Sequence, residues 1–274
     1  MNLNAVCLSV AALILPAASA SAQPPQESEG WSLSVGGGAL FTPTYEGDDD
    51  YRLSLLPNIQ IAYEDRFFAS VQDGVGYNLI NSDALRVGPI ARVRFSRQED
   101  GDQPFAITGE RTTDLIGLGD VSTTLEFGAF AEADVGPLTA SIEARQGVNG
   151  HDGFVLDAGL SYGARSFALG PPVIFSIGPR IKIVGDNYND AYFSITPAQS
   201  LASGLSVYDA DGGVHSYGVG GALIFPITRD NSLSAVMIGG YDRLAGDVGD
   251  APLVRLRGSR NQATLGFFIS YRLF

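Results

Sequence analysis

Asn261-Gln262-Ala263-Thr264-Leu265-Gly266-Phe267-Phe268-Ile269-Ser270-Tyr271-Arg272-Leu273-Phe274 closes the chain, and its alternate positions separate by polarity. Leu265, Phe267, Ile269, Tyr271 and Leu273 fall on one face. Thr264, Gly266, Ser270 and Arg272 fall on the other, with Phe268 the one bulky apolar exception. An apolar side for lipid, a polar side for a lumen and about ten residues to cross at a tilt are what a transmembrane β-strand requires. The edge strand of a soluble sandwich carries the same alternation, so the decision rests on whether the pattern recurs upstream.

It does. Trp31, Leu33, Val35, Ala39 and Phe41 alternate with Ser32, Ser34, Gly36 and Gly38, and the stretch from Arg52 to Tyr63 follows with Leu53, Leu55, Ile59, Ile61 and Tyr63 on one side. Further segments begin near Leu85, Val121, Leu138, Phe154, Val173, Tyr217 and Leu233. The stretch 66–79 is noisier, because Asp73 falls in the apolar frame of Phe67, Ala69, Val71, Val75 and Tyr77. A bulge around Gln72-Asp73-Gly74 would restore the register, since one extra residue flips every later side chain. The segments number eleven, whereas single-chain bacterial barrels carry an even number. The expected fold is therefore an all-β, antiparallel transmembrane outer-membrane β-barrel of about twelve strands, with ten as the alternative. A missed or merged strand is sought at Asp190–Ile195 or within 66–79. Connectors such as Val135-Gly136-Pro137 and Pro226–Asp230 are tight-turn material, while 98–120, 185–212 and 244–260 are long. Short turns on one rim and long loops on the other is the bacterial pattern. Within the longest loop, Thr196–Ser203 is read as a helical turn.

No run of eighteen apolar residues occurs, which excludes a helical membrane span. Residues 1–22 read as a secretory leader: the apolar stretch Ala5–Leu15, Pro16, then the cleavage candidates Ala18-Ser19-Ala20 and Ala20-Ser21-Ala22. The n-region lacks lysine and arginine. Residues 23–30 then form a periplasmic linker and 31–274 a single barrel domain. The sole cysteine, Cys7, lies in the leader, so the mature chain has neither disulfide nor thiol chemistry. A formal net charge of −13 argues against nucleic acid as a partner; outer-membrane lipid is the expected surrounding. The acids gather in turn-like stretches, Glu46–Asp50, Glu99–Asp102, Asp186–Asp190, Asp209–Asp211 and Asp242–Asp250, read as solvated surface, with divalent-cation bridging to anionic lipid as the alternative.

The polar face is rich in both signs of charge. Arg86, Arg92, Arg94, Arg145, Arg165, Arg180 and Lys182 interleave with Glu126, Glu132, Glu143 and Asp157. Such charges pair across a narrow lumen and fill it; a narrow permeation path or an occluded binding site is the competing reading. Chemistry is sparse. The two histidines are His151, in the turn Gly150-His151-Asp152-Gly153, and His215, at a strand start. His151 is read as a turn cap, and a hydrolase built on His151, Asp152 and a distant serine has no supporting motif. Asp209-Ala210-Asp211-Gly212-Gly213 resembles the start of a calcium loop but lacks the closing glutamate. Gly36-Gly37-Gly38 lies in a strand and is read as close packing. No catalytic, cofactor-binding or metal residue is assigned, and no enzyme activity or cofactor is expected.

Several motifs in order resemble the MipA/OmpV family of outer-membrane proteins. They are Thr42-Pro43-Thr44-Tyr45-Glu46-Gly47, Gly117-Leu118-Gly119-Asp120, Arg145-Gln146-Gly147 with Gly150-His151-Asp152-Gly153, Tyr192–Ser200 with Ala202-Ser203-Gly204, Tyr241-Asp242-Arg243-Leu244 and Gly258-Ser259-Arg260. The common Tyr-Arg-Phe ending is Tyr271-Arg272-Leu273-Phe274 here. The resemblance implies an outer-membrane barrel acting as a scaffold between a murein hydrolase, the lytic transglycosylase MltA, and a murein synthase. The family also includes adhesin-like and stress-related members. It implies no residue-level partner site.

Overall fold

The computed structural model describes residues 30–102, 105–109, 112–167 and 172–274. The expected leader, and the expected linker up to residue 29, lie outside the described residues. The strands are β1 (Trp31–Pro43), β2 (Tyr51–Tyr63), β3 (Phe67–Ser70), β4 (Gly74–Tyr77), β5 (Ile80–Asn81), β6 (Leu85–Arg94) and β7 (Ala106–Thr108). They continue with β8 (Thr124–Val135), β9 (Leu138–Val148), β10 (Phe154–Ser166), β11 (Val173–Val184), β12 (Gly213–Pro226), β13 (Leu233–Leu244) and β14 (Asn261–Arg272). Among the described residues, four short helices, α1 (Asp186–Tyr192), α2 (Pro197–Ser203), α3 (Gly246–Asp250) and α4 (Pro252–Arg257), sit in the loops 185–212 and 245–260 at one rim.

Each wall strand pairs antiparallel with its sequence neighbour, and β1 pairs with both β2 and β14, so the sheet closes on itself. The seam extends to the chain end: Leu273 N–H donates to Leu33 O (2.8 Å) and Leu33 N–H to Phe274 O (3.2 Å). The wall holds twelve strands; β5 and β7 are short additions on β6 and β2. Twelve rather than ten is correct, and the merged strand was in 66–79. That stretch is the β3–β4 hairpin, not one strand with a bulge. Asp73 broke the apolar frame because it belongs to the turn, where Ser70 Oγ donates to Asp73 Oδ2 (2.6 Å) and accepts from Asp73 N–H (2.8 Å). Asp190–Ile195 contributes no wall strand: it runs from α1 into an isolated bridge, Ile195 to Tyr208. The β3–β4 hairpin is also low. Where β3 stops, β2 pairs instead with β7 at Leu53 and Ser54.

The apolar frame of β14 faces outward. Leu265, Phe267, Ile269, Tyr271 and Leu273 are 44–61% exposed, while Phe268 between them is fully buried. Large apolar side chains on the same outward frame are exposed on every long wall strand, an arrangement water penalises and lipid favours. Aromatic residues cluster at both rims: Trp31 packs on Tyr63 and Phe67 at the short-turn rim, and Phe41 stacks on Tyr51 at the other. The exception, Phe268, points into the lumen, where it joins Ile174, Ile224, Val236 and Ile238 in an apolar floor, with Leu40, Leu56 and Ala222 against it. Its ring lies against Gly38, where any Cβ would overlap it. Gly38 is thus a seat for that ring, and Gly36 sits against the Ile269 backbone, consistent with close packing.

Phe267→Arg puts a charge on the lipid face near the middle of β14. It is expected to destabilise the barrel by about 2–4 kcal/mol, read as a shifted denaturant midpoint in lipid bilayers; an unchanged midpoint would place that face away from the bilayer.

Candidate functional site

The lumen above the apolar floor is built around Arg145 on β9. Its Nε donates to Glu126 Oε2 (2.6 Å), its Nη2 to Asp157 Oδ2 (2.7 Å) and its Nη1 to Glu143. Glu126 and Glu143 then reach the arginines of β6: Arg94 Nε donates to Glu126 Oε1 (2.7 Å), and Arg92 forks onto Glu143 (2.6 and 2.9 Å). The ladder places Arg92 directly opposite Glu126, yet Arg94 takes Glu126 from a diagonal position and Arg92 reaches across β8 to Glu143 on β9. Nearer the short turns, Arg86 pairs with Glu132 (2.5 Å). The expected pairing of the inward charges is therefore present, although no ion pair of Arg165 occurs among the described residues.

The other inward cations reach partners that the sequence placed in solvated turns. Arg180 on β11 crosses β12 to Asp242 on β13, with Nε to Oδ1 at 2.7 Å. It lies against Gly240, where a Cβ would meet the guanidinium. Lys182 Nζ donates to Glu46 Oε1 (3.0 Å). Glu46 is the hub of the upper lumen: it also accepts from Tyr188 Oη (3.0 Å) and meets His215 Nε2 (2.9 Å), while His215 Nδ1 faces Asn189 Oδ1 (3.2 Å). Both Glu46 and Asp242 correct the reading of those acidic stretches as solvated surface. Burial raises the Glu46 pKa, and Lys182, then His215 and Arg94, outweigh it and hold the carboxyl well below the ordinary range. Single-sequence reading missed Glu46 because its partners lie on α1, β11 and β12, far away in the chain.

His151 is more than a turn cap. Gly153 N–H donates to its Nδ1 (3.1 Å), which leaves the proton on Nε2 to donate to Glu126 Oε1 (3.0 Å). Its carboxylate partner is Glu126, not Asp152, whose carboxylate caps Asn149 N–H (2.8 Å). No serine is among its hydrogen-bond partners. Asp211 is tied by backbone groups to Asn189 and Asp247, and among the described residues no group of three or more His, Cys, Asp or Glu could hold a metal ion.

A lid covers this charged layer, with cores of its own. Tyr45, Leu115, Leu118, Ile195, Leu205 and Leu253 form one, and Phe193, Ala210, Leu244, Val248, Ala251 and Val254 another. Fully burying an aliphatic side chain stabilises by about 1.5–3 kcal/mol, so these loops are folded rather than loose. The expected helical turn at Thr196–Ser203 is α2, started by a capping box between Thr196 and Gln199 and ended by Gly204 in the left-handed region. Arg257 ties the lid together by donating to Asp114 O (2.6 Å) and Ser203 O. Arg97 donates to Tyr192 O (2.5 Å) with its guanidinium over the Tyr192 ring. Between lid and charged layer lies a cavity of about 380 Å³, bounded by Arg97, Arg180, Lys182, Tyr192, Asp157 and Asp242 among others.

Arg145→Leu leaves three carboxylates facing one another and is expected to cost about 3–5 kcal/mol. Arg260→Ala breaks an exposed pair with Asp250 and should cost less than about 1 kcal/mol. Equal costs in denaturant titrations would contradict the central place of Arg145. The depressed pKa of Glu46 also sets a pH dependence. A carboxyl whose folded pKa lies below its unfolded value of about 4.3 stabilises the folded state above that pH and loses the contribution as pH falls toward the folded value. The protection factors of the α1 amides should therefore fall as pH drops below about 4.3, and Glu46→Gln should flatten that dependence; unchanged protection would remove Glu46 as the lid's anchor.

Residues 35–273 match the family model described as MltA-interacting protein MipA. No curated protein matches the chain. Among solved structures it is similar to an outer-membrane channel from Pseudomonas putida F1 (12% identity, TM-score 0.46, 92% of this chain and 99% of that one). It is also similar to the NanC porin (11%, 0.40, 87% and 98%) and to OprB from Pseudomonas putida (11%, 0.41, 89% and 94%).

Proposed function

The chain belongs to the MipA family, and on that premise we propose that this outer-membrane barrel is a non-enzymatic scaffold that holds a murein hydrolase and a murein synthase at the periplasmic rim. The observation that carries the reading is the filled lumen. An apolar floor around Phe268, a charged layer around Arg145 and a lid with its own cores lie one above another. A barrel so filled is suited to presenting a surface rather than conducting. The short-turn rim, periplasmic in such barrels, offers little area and carries both signs of charge: Glu64, Asp83 and Asp230 are exposed there, as are Arg66 and Arg229. The family's description, MltA-interacting protein, supplies the partner.

The test is crosslinking in intact envelopes, followed by purification of the barrel and identification of what accompanies it. A lytic transglycosylase or murein synthase enriched over an unrelated barrel, and lost when Glu64, Asp83 and Asp230 are changed together to lysine, is the expected result. A barrel free of cell-wall enzymes that gives stable conductance steps in planar bilayers would overturn the scaffold in favour of a narrow solute pore.

A further inference from the structure

Three residues that line the cavity beneath the lid each keep a buried donor without an acceptor among the described residues. Arg97 Nε, Arg180 Nη1 and Tyr192 Oη have no hydrogen-bond partner among the described residues, and all three residues line the same space of about 380 Å³. Arg97 is 7% exposed and the Arg180 side chain 9%, so bulk water does not satisfy them. A buried donor left unpaired is costly, and native structures keep few of them. Two such groups are arginines, whose planar forks match carboxylate and phosphate oxygens. The carboxylates of the wall are Glu46, Asp157 and Asp242. Each of those acids already accepts from a cation: Lys182, Arg145 and Arg180 respectively. Arg94 on the same wall is paired with Glu126, whereas Arg97 meets the backbone carbonyl of Tyr192 and no carboxylate among the described residues.

We infer that this cavity is a binding site for a small organic anion bearing a carboxylate or phosphate group, received by Arg97, Arg180 and Tyr192. The volume is in the range of small-molecule sites. Arg97 follows β6, Tyr192 ends α1 and Arg180 stands on the β11 wall, so one bound anion ties the lid to the barrel. The Arg180–Asp242 and Arg97–Tyr192 O contacts orient both guanidinia without using the atoms assigned to the ligand. The site lies in the upper lumen, whereas the proposed docking surface is the opposite rim.

The experiment is isothermal titration of the full barrel in nanodiscs with citrate, inorganic phosphate and, as a neutral control, glycerol, alongside hydrogen exchange of α1. Saturable binding of citrate or phosphate but not glycerol is expected, with slower exchange in α1; whichever anion binds tighter identifies the headgroup. Tyr192→Phe removes one unpaired hydroxyl and should leave the melting curve in place while weakening binding about tenfold, the effect of one lost hydrogen bond to a charged group. Arg97→Gln should weaken it further. No saturable binding of either anion would overturn the proposal, as would equal affinity in the wild type and both variants.

Discussion

Hydrocarbon offers no hydrogen-bond partner to a backbone amide, so a sheet that spans a membrane must leave no edge. In this chain the requirement falls on one seam, where β14 lies along β1 from Phe41↔Leu265 to Ser34↔Arg272 and the last backbone groups pair with Leu33. Closure turns alternate residues outward to lipid and the others into a confined interior. Everything else about the lumen follows from having to fill that interior with the polar face of the same strands.

The filling is solved in two chemistries. Near the short turns, one inward position on each of several strands is apolar, and these meet around Phe268. Higher up, opposite charges on neighbouring strands satisfy one another, and Arg145 serves three carboxylates at once. Buried charges of this kind add little net stability but tolerate no missing partner, which makes the layer specific rather than strong. The lid continues the same logic from above, since Glu46 descends from the first loop to meet Lys182, Tyr188 and His215.

Most of the wall was legible because period-two alternation is a local property that lipid exposure leaves undisturbed. Phe268 was visible as an anomaly, though its meaning needed Gly38 on the far side of the seam. The 66–79 stretch was misread because a three-residue turn at 71–73 and a bulge disturb the alternation alike, and only pairing separates them. The charged layer was legible as a list of charges, while Glu46, Asp242 and the Glu126 partner of His151 were not. Each depends on contacts between segments far apart in sequence, and an acidic turn looks the same whether it ends in solvent or under a lid.

The low β3–β4 hairpin has a consequence for the bilayer itself. Four residues at about 3.3 Å each span roughly 13 Å of strand, about half of the ~25 Å apolar band that such barrels present. On that side the lipid meets a shortened wall, capped only by β7 against β2. Acyl chains there must thin, or the barrel must lean, to avoid water against exposed hydrocarbon. The molecule thus carries a built-in lopsidedness of hydrophobic thickness, giving its surroundings a preferred side from which lipids or a neighbouring membrane protein pack against it.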